Sequence, residues 1–173
     1  MVKIIKLNKN IAKKYENSIL KLHNQIPLLH WESNDLYKDR DLKRIYFLKW
    51  QISTIALFNN RPIGICIAFY NKTNNSNYFL YIHRLSVDVK YQQKGIGKNL
   101  ILNTCINFRK FISTNECNIL YVQTTKEEYV GKNNTATGFY EKLGFKKIGE
   151  KKYRNKIDNI YSMNIDSFIS QNK

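Results

Sequence analysis

The sequence predicts an α/β domain organised around a central mixed sheet, on three observations. Segments that alternate apolar and polar residues are interleaved with segments whose apolar residues recur every three to four positions. The two kinds follow one another with no Gly-, Pro- or Ser-rich linker and no internal repeat, so residues 1–173 are expected to form a single domain. The 173 residues are also 43% hydrophobic and 13% aromatic, an ordinary globular composition. A chain of that length buries roughly two thirds of the surface its unfolded form exposes, enough for a core without disulfides or structural metal.

The elements follow in order. Residues 2–7 alternate as a first strand, and Ile11, Tyr15, Ile19 and Leu22 then recur at helical spacing until Pro27 ends the pattern. Residues 30–35 read as a loop and residues 39–50 as a second helix. The β-branched runs 52–58 and 62–70 flank Asn59-Asn60-Arg61-Pro62, a hairpin signal. A polar turn at 71–77 leads into residues 78–89, the longest strand candidate. Residues 90–97 open a helix whose Ile101, Cys105, Phe108 and Ile112 form one apolar stripe. Residues 118–124 read as a short buried strand, 125–133 as a polar loop, and 134–143 as a short helix closed by Gly144 in a left-handed cap. Strands at 145–153 and 160–165, with a turn at 155–159, complete the pattern.

Charge and composition exclude several functions. The 29 Lys and Arg against 13 Asp and Glu give +16, a balance that favours polyanions such as nucleic acid, acidic lipid or a phosphorylated cofactor. Only six of these residues are arginines (Arg40, Arg44, Arg61, Arg84, Arg109 and Arg154), and the lysines scatter from Lys3 to Lys173. The excess therefore reads as a solvated face and not as a surface of planar arginine forks, so specific nucleic-acid binding is not expected. No apolar run approaches the roughly 20 residues of a bilayer span, and the first seven residues alternate charged and apolar types, so no membrane partner and a cytoplasmic location are expected. Cys66, Cys105 and Cys117 are odd in number and far apart, and His23, His30 and His83 are dispersed, which argues against a disulfide framework and a metal site.

The strand, glycine turn and helix around residues 85–109 have the layout of an anion site. The turn lacks the third glycine of a dinucleotide fingerprint, where Leu100 stands, and the Walker residues, where Gln92 and Asn99 stand. Gln92-x-x-Gly95-x-Gly97 remains. Glycines there let the backbone approach a ligand, and the first helical turn presents unpaired N–H groups suited to a pyrophosphate.

Through Leu85-Ser86-Val87-Asp88-Val89-Lys90-Tyr91-Gln92-Gln93-Lys94-Gly95-Ile96-Gly97, and later Asn133-Asn134-Thr135-Ala136-Thr137-Gly138-Phe139-Tyr140-Glu141-Lys142-Leu143-Gly144-Phe145, the chain resembles the GNAT superfamily of N-acyltransferases. Both motifs stand in the family's order, one helix and one strand apart; motif similarity is strong over residues 78–148, and the element order extends it to nearly the whole chain. The resemblance implies a GNAT-like fold of the α/β (α+β) class, with a twisted, mostly antiparallel sheet of about six to seven strands flanked by about four helices. It implies acetyl-CoA or another short acyl-CoA as co-substrate, an amine acceptor and no metal; family members often dimerise, so a homodimer is compatible with it. Gln93-Lys94 departs from the pattern, since the family often has Gly after its Arg or Gln, which costs backbone freedom in the turn.

Site residues follow from the same resemblance. The backbone of Leu85, Ser86 and Val87 would hold the pantetheine arm like an added strand, and Gln92, Gln93, Lys94, Gly95, Ile96, Gly97 and Lys98 the pyrophosphate. Asn133 stands at the family's CoA-contacting asparagine. Tyr140 stands at its general acid, and a phenol of pKa about 10 can protonate a departing thiolate while remaining protonated at neutral pH. Direct attack of an amine on the thioester needs no enzyme nucleophile, in keeping with the lack of a Cys–His or Ser–His–Asp arrangement.

The proton of the attacking amine needs an acceptor, and His83 is the candidate base: strand alternation places Tyr81 and His83 on the side of Leu85 and Val87, the face that meets the acyl-transfer centre in this family. Glu32 and Asp35, in a segment that often borders the family's acceptor site, join Asp39 and Asp41 as the main carboxylate cluster. Plainer roles compete at each position: a tight turn for the glycines, a core aromatic for Tyr140, a helix cap for Asn133, a half-buried strand residue for His83, and core packing for the cysteines. The expected function is transfer of an acetyl group from acetyl-CoA to a primary amine, of a small molecule or of a protein or peptide, in a ternary complex. The alternative is a non-catalytic acyl-CoA-binding or nucleic-acid-associated module on the same fold.

Overall fold

The computed structural model describes residues 1–25, 32–37, 48–72, 78–125, 136–153 and 156–173. Strand β1 (Val2–Lys6) is followed by helices α1 (Lys9–Lys14), α2 (Glu16–His23), α3 (Ser33–Tyr37) and α4 (Lys49–Ile52). Strands β2 (Thr54–Phe58), β3 (Arg61–Lys72) and β4 (Tyr78–Val87) form a meander, and helix α5 (Ile96–Arg109) leads to β5 (Ile119–Thr125). Helix α6 (Ala136–Lys142), the hairpin β6 (Lys146–Tyr153) and β7 (Lys156–Asn164), and helix α7 (Ile165–Asn172) complete the order. The seven strands form one sheet in the order β1-β2-β3-β4-β5-β7-β6. Every pairing is antiparallel except β4 with β5. The mixed, mostly antiparallel sheet matches the expected fold class, while the helices are shorter and more numerous than four.

Local chemistry explains most boundaries. Asn8 caps α1 by accepting from the Ile11 N–H at 2.9 Å, and Tyr15, at φ −112°, breaks the expected first helix into two. Asn59 and Asn60 take φ of 48° and 59°, the left-handed pair of a tight hairpin turn. Residues 33–35, expected as loop, are helical in α3, and Ile52 ends α4 instead of opening β2. Of the helix expected at 39–50, residues 39–47 lie outside the described residues. Strand β4 stops two residues short of 89 because Asp88 caps a 3-10 turn over Val89–Tyr91.

The C-terminus corrects the sequence reading. Asp158 and Asn159, read as turn residues for their polarity, lie within β7 opposite Thr125 and Thr124. Ile165, expected to end a strand, opens α7, which Asn164 caps by accepting from the Ser167 N–H at 2.9 Å.

Two apolar layers enclose the sheet. On one face α5, α6 and α7 pack Leu100, Cys105, Phe108, Tyr140 and Phe168 against Cys66, Ala68, Leu80, Ile82 and Tyr161. On the other, Ala12, Ile19 and Leu36 cover Ile55, Ile65 and Ile67. Buried hydroxyls lock α5 in place: Thr54 Oγ1 donates to the Leu100 carbonyl at 3.0 Å and meets Thr104 Oγ1 at 3.0 Å. Arg109 ties the far end of α5 to α7 and the start of β5, donating to Asp166 at 2.7 Å, the Cys117 carbonyl at 2.6 Å and Asn118 Oδ1 at 2.6 Å. Removing this fork strands two acceptors and a carboxylate, so Arg109→Ala is expected to lower stability by about 2 kcal/mol in urea denaturation. Lysine has no planar fork to reach all three, so Arg109→Lys is expected to recover little of that loss.

Candidate active site

Strands β4 and β5 make a fork. They pair in parallel over three positions, Leu80 with Leu120, Tyr81 with Tyr121 and Ile82 with Val122, and among the described residues no strand pairs with Leu85 or Val87 on that side. On the other side β3 stays paired through Gly64 and Val87, and the Asp88 N–H donates to the Ile63 carbonyl at 2.9 Å. Backbone groups alternate sides along a strand, so the N–H and C=O of Leu85 and Val87 face the open gap. One of them is occupied: Gln92 Nε2 donates to the Val87 carbonyl at 3.1 Å, folding the glycine turn back onto the strand.

A bulge sits at the mouth of the fork. Arg84 faces Ile67 and Ile82 faces Ala68, which leaves His83 as the extra residue. The bulge reverses the alternation. Leu80, Ile82, Leu85 and Val87 all join the core on the α5 face. Tyr81 and His83 contact Phe69 on the opposite face, with ring centroids 5.2 and 5.5 Å away. The expectation that Tyr81 and His83 share a side with Leu85 and Val87 is therefore corrected. Ser86 likewise turns its hydroxyl to that face, 3.4 Å from His23 Nδ1, so only its backbone adjoins the gap.

On the α5 face a groove of about 340 Å³ runs from the fork to the glycine turn. Leu85 and Val87 form one wall, Gln92, Gln93, Gly95, Ile96, Gly97 and Lys98 its end, and Ala136, Phe139, Tyr140, Lys142 and Leu143 of the α6 segment the other wall. Gly95 takes φ +75° with open space where a side chain would stand, so its role is conformational. Gly97 has a different reason: a Cβ there would lie 3.0 Å from the Phe139 ring. Gln93 takes φ +60° without being glycine, the cost foreseen for the Gln93-Lys94 departure. The Asn99 N–H is bonded to the Gly95 carbonyl, so the N–H groups of the preceding first turn open towards the groove end with the positive end of the helix dipole. Lys98 and Lys142 line the groove, and Lys94 lies 5.3 Å above the Tyr91 ring beside it, so anionic groups meet cations as well as backbone donors.

Tyr140 is 5% exposed, held edge-on against Phe139 at 5.1 Å and Phe145 at 5.2 Å, and is at once core residue and groove wall. Tyr91, Ala136, Phe139, Lys142 and Leu143 also line the groove but carry no motif chemistry, only apolar surface and one charge that sequence reading had no ground to single out. Asn133 lies outside the described residues.

The opposite face is aromatic. Phe79 meets Tyr121 at 5.0 Å, and Phe69, Tyr81 and His83 continue the patch around the fork. His83 is largely enclosed; burial, then the neighbouring Arg84, Lys49 and His23, push its pKa down to about 3. Burial thus disfavours the protonated imidazole, which argues against His83 as the base. Glu32 is exposed and its backbone N–H donates to Asp35 Oδ2 at 3.0 Å, so the Asp35 carboxylate caps the start of the short helix α3. Burial drives the Cys66 thiol up to about 12 and raises Cys105 and Cys117, leaving no reactive thiolate.

Burial also lowers His23 to about 3, with Arg84 adding to the shift. Both histidines are neutral when folded and take up protons when unfolded below about pH 6.5, so acid favours unfolding by up to about 1.4 kcal/mol per pH unit for each. Denaturant midpoints are expected to fall from pH 7 to pH 5, and His83→Gln to remove part of that slope. Gly95→Ala, forcing a side chain into a left-handed conformation, is expected to cost about 1 kcal/mol in the same assay.

Comparison with known proteins agrees with this geometry. The sequence model described as the acetyltransferase (GNAT) domain matches residues 49–147, from α4 through the fork, the glycine turn and α6 to the start of β6. A search of curated protein sequences finds no match. Among solved structures, the NatC complex bound to Gag peptide and CoA contains a chain similar at TM-score 0.72 and 21% identity, over 94% of this chain and 98% of that one. The ribosomal-protein-S18-alanine N-acetyltransferase from Escherichia coli is similar at TM-score 0.66 and 14% identity, covering 95% and 94% of the two chains. An aminoglycoside 6'-N-acetyltransferase complexed with coenzyme A is similar at TM-score 0.64 and 17% identity, covering 94% and 97%. At these identities the structures establish the shared fold, and with a family match over more than half of its length the chain belongs to the GNAT acetyltransferase family.

Proposed function

We propose that the protein is an N-acetyltransferase that moves an acetyl group from acetyl-CoA to a primary amine, on a small molecule or a peptide, by direct attack in a ternary complex. The observation that carries this reading is the junction of groove and fork: a channel ending on helix N–H groups and lysines opens at its other end onto an unpaired strand edge. A pyrophosphate suits the first end and the amides of a pantetheine arm the second. Solved relatives crystallised with acetyl-CoA or CoA add support.

Chemically, the amine lone pair attacks the thioester carbon, forming the C–N bond and a tetrahedral oxyanion. An N–H of the open edge, at Leu85 or Val87, would hold that oxyanion. Collapse breaks the C–S bond, Tyr140 protonates the sulfur, and the amine proton leaves to water or a base on the acceptor side. The buried cysteines cannot form an acyl-enzyme, which favours this one-step route.

Calorimetry with acetyl-CoA, alongside free-thiol release against a panel of amines and short peptides, tests the reading: binding with amine-dependent release is expected, and absence of binding overturns it. Tyr140→Phe is expected to lower kcat about a hundredfold with acetyl-CoA affinity nearly unchanged. Gly97→Ala, by pushing Phe139 into the groove, is expected to weaken acetyl-CoA binding instead.

A further inference from the structure

On the face of the sheet opposite the acetyl-CoA groove, one carboxylate is placed unlike any other among the described residues. Asp158 of β7 stands opposite Thr125, and the β4, β5 and β7 registers put it on the same face as Tyr81, Tyr121 and Gln123. Its side chain is half satisfied: Gln123 Nε2 donates to Oδ2, while Oδ1 is buried with no hydrogen-bond partner. The residue is 7% exposed. Lys151, its register partner on β6, is exposed and leaves Oδ1 unsatisfied. A buried carboxylate oxygen without a donor is destabilising, so its presence calls for a reason. The folding core supplies none, since β7 is already held to both β5 and β6 by its backbone.

Position supplies one. Gln123 is the first residue of β5 after the last pair with β4, and Thr125 lies about 10 Å beyond Val122 along the strand. Leu85 and Val87 lie a similar length past Ile82, so Asp158 stands level with the open edge but about two strand spacings, roughly 10 Å, to its side, too far to meet the reacting nitrogen. On the same face, just before the fork, lie the half-exposed rings of Phe79, Tyr81 and Tyr121, whose faces attract cations. A carboxylate, a side-chain amide that orients it and an aromatic surface beside them together suit a positive charge. In a chain of +16 such a pocket also overcomes the general repulsion of cationic acceptors.

Resting on the acetyltransferase reading above, we propose that Asp158, oriented by Gln123, anchors a second cationic group of the acceptor, so that the substrate is a primary amine carrying a further ammonium or guanidinium some 8–10 Å away. The chemistry is that of a diamine or of a peptide with a basic residue next to its N-terminus. Asp158 is a binding residue in this scheme and takes no part in proton transfer.

The test compares acceptors that differ in that one charge: 1,5-diaminopentane against n-pentylamine, and a tetrapeptide with lysine second against the same peptide with glutamine. Binding to the protein saturated with CoA is followed by calorimetry, and turnover by thiol release. The dication of at least one pair is expected to bind about tenfold more tightly or more, and the pair that does so tells small molecule from peptide. Asp158→Asn is expected to abolish the preference, to leave acetyl-CoA affinity unchanged and to leave thermal stability equal or higher. Equal binding within both pairs, a preference that survives Asp158→Asn, or a loss of stability in that variant that marks a structural role, each overturns the proposal. Failure of acetyl-CoA to bind the wild-type protein is a separate result, and overturns the acetyltransferase reading itself.

Discussion

The bulge at His83, at the point where β4 parts from β5, is the constraint on which the rest of the site depends. A regular β4 would keep one alternation from Tyr78 to Val87, and the residues after the fork would change faces relative to the core they must complete. One extra residue lets Leu80 and Ile82, before the bulge, and Leu85 and Val87, after it, all pack towards α5. The same residue lets Tyr81 and His83 close over Phe69 on the other side. Because β4 and β5 are parallel and pair over only three positions, the bulged strand has an edge that nothing in the sheet satisfies. A fold that spends its backbone hydrogen bonds elsewhere leaves these for a ligand.

The two faces of the sheet then divide the chemistry. Towards α5 the donors are backbone N–H groups, a helix dipole and the lysines Lys94, Lys98 and Lys142, a set suited to phosphate by charge and position. Towards α2 the surface is aromatic, with the Asp158 carboxylate at its edge. A small part of the chain's positive excess is thus concentrated at one end of the groove. Among the described residues the two surfaces meet at the fork.

Rigid placement of these groups comes from buried polar contacts far from the chemistry. Thr54 and Thr104 fix α5 against β2, Arg109 fixes its other end, and Gln92 fixes the turn to Val87. These bonds set the helix axis, and with it the direction of the first-turn N–H groups. The buried thiols beside them, raised in pKa, pack as small apolar residues and stay out of the reaction.

The sequence by itself determined the succession of seven strands and the glycine turn, because these rest on local rules: alternation and the conformational freedom of glycine; Tyr140 stood out through its motif. Asn59-Asn60 announced its hairpin and Gly144 its helix end for the same reason. Only the tertiary structure decided which face each site residue serves. One inserted residue at His83 reverses a period-two pattern with no mark in the sequence, so Tyr81 and His83 changed sides. Gly97 proved to be small for Phe139, a neighbour more than forty positions away. Asp158 and Asn159 carry turn-like side chains, yet pairing with β5 holds them in a strand. In each case the deciding contact joins residues distant along the chain, and no local pattern encodes it.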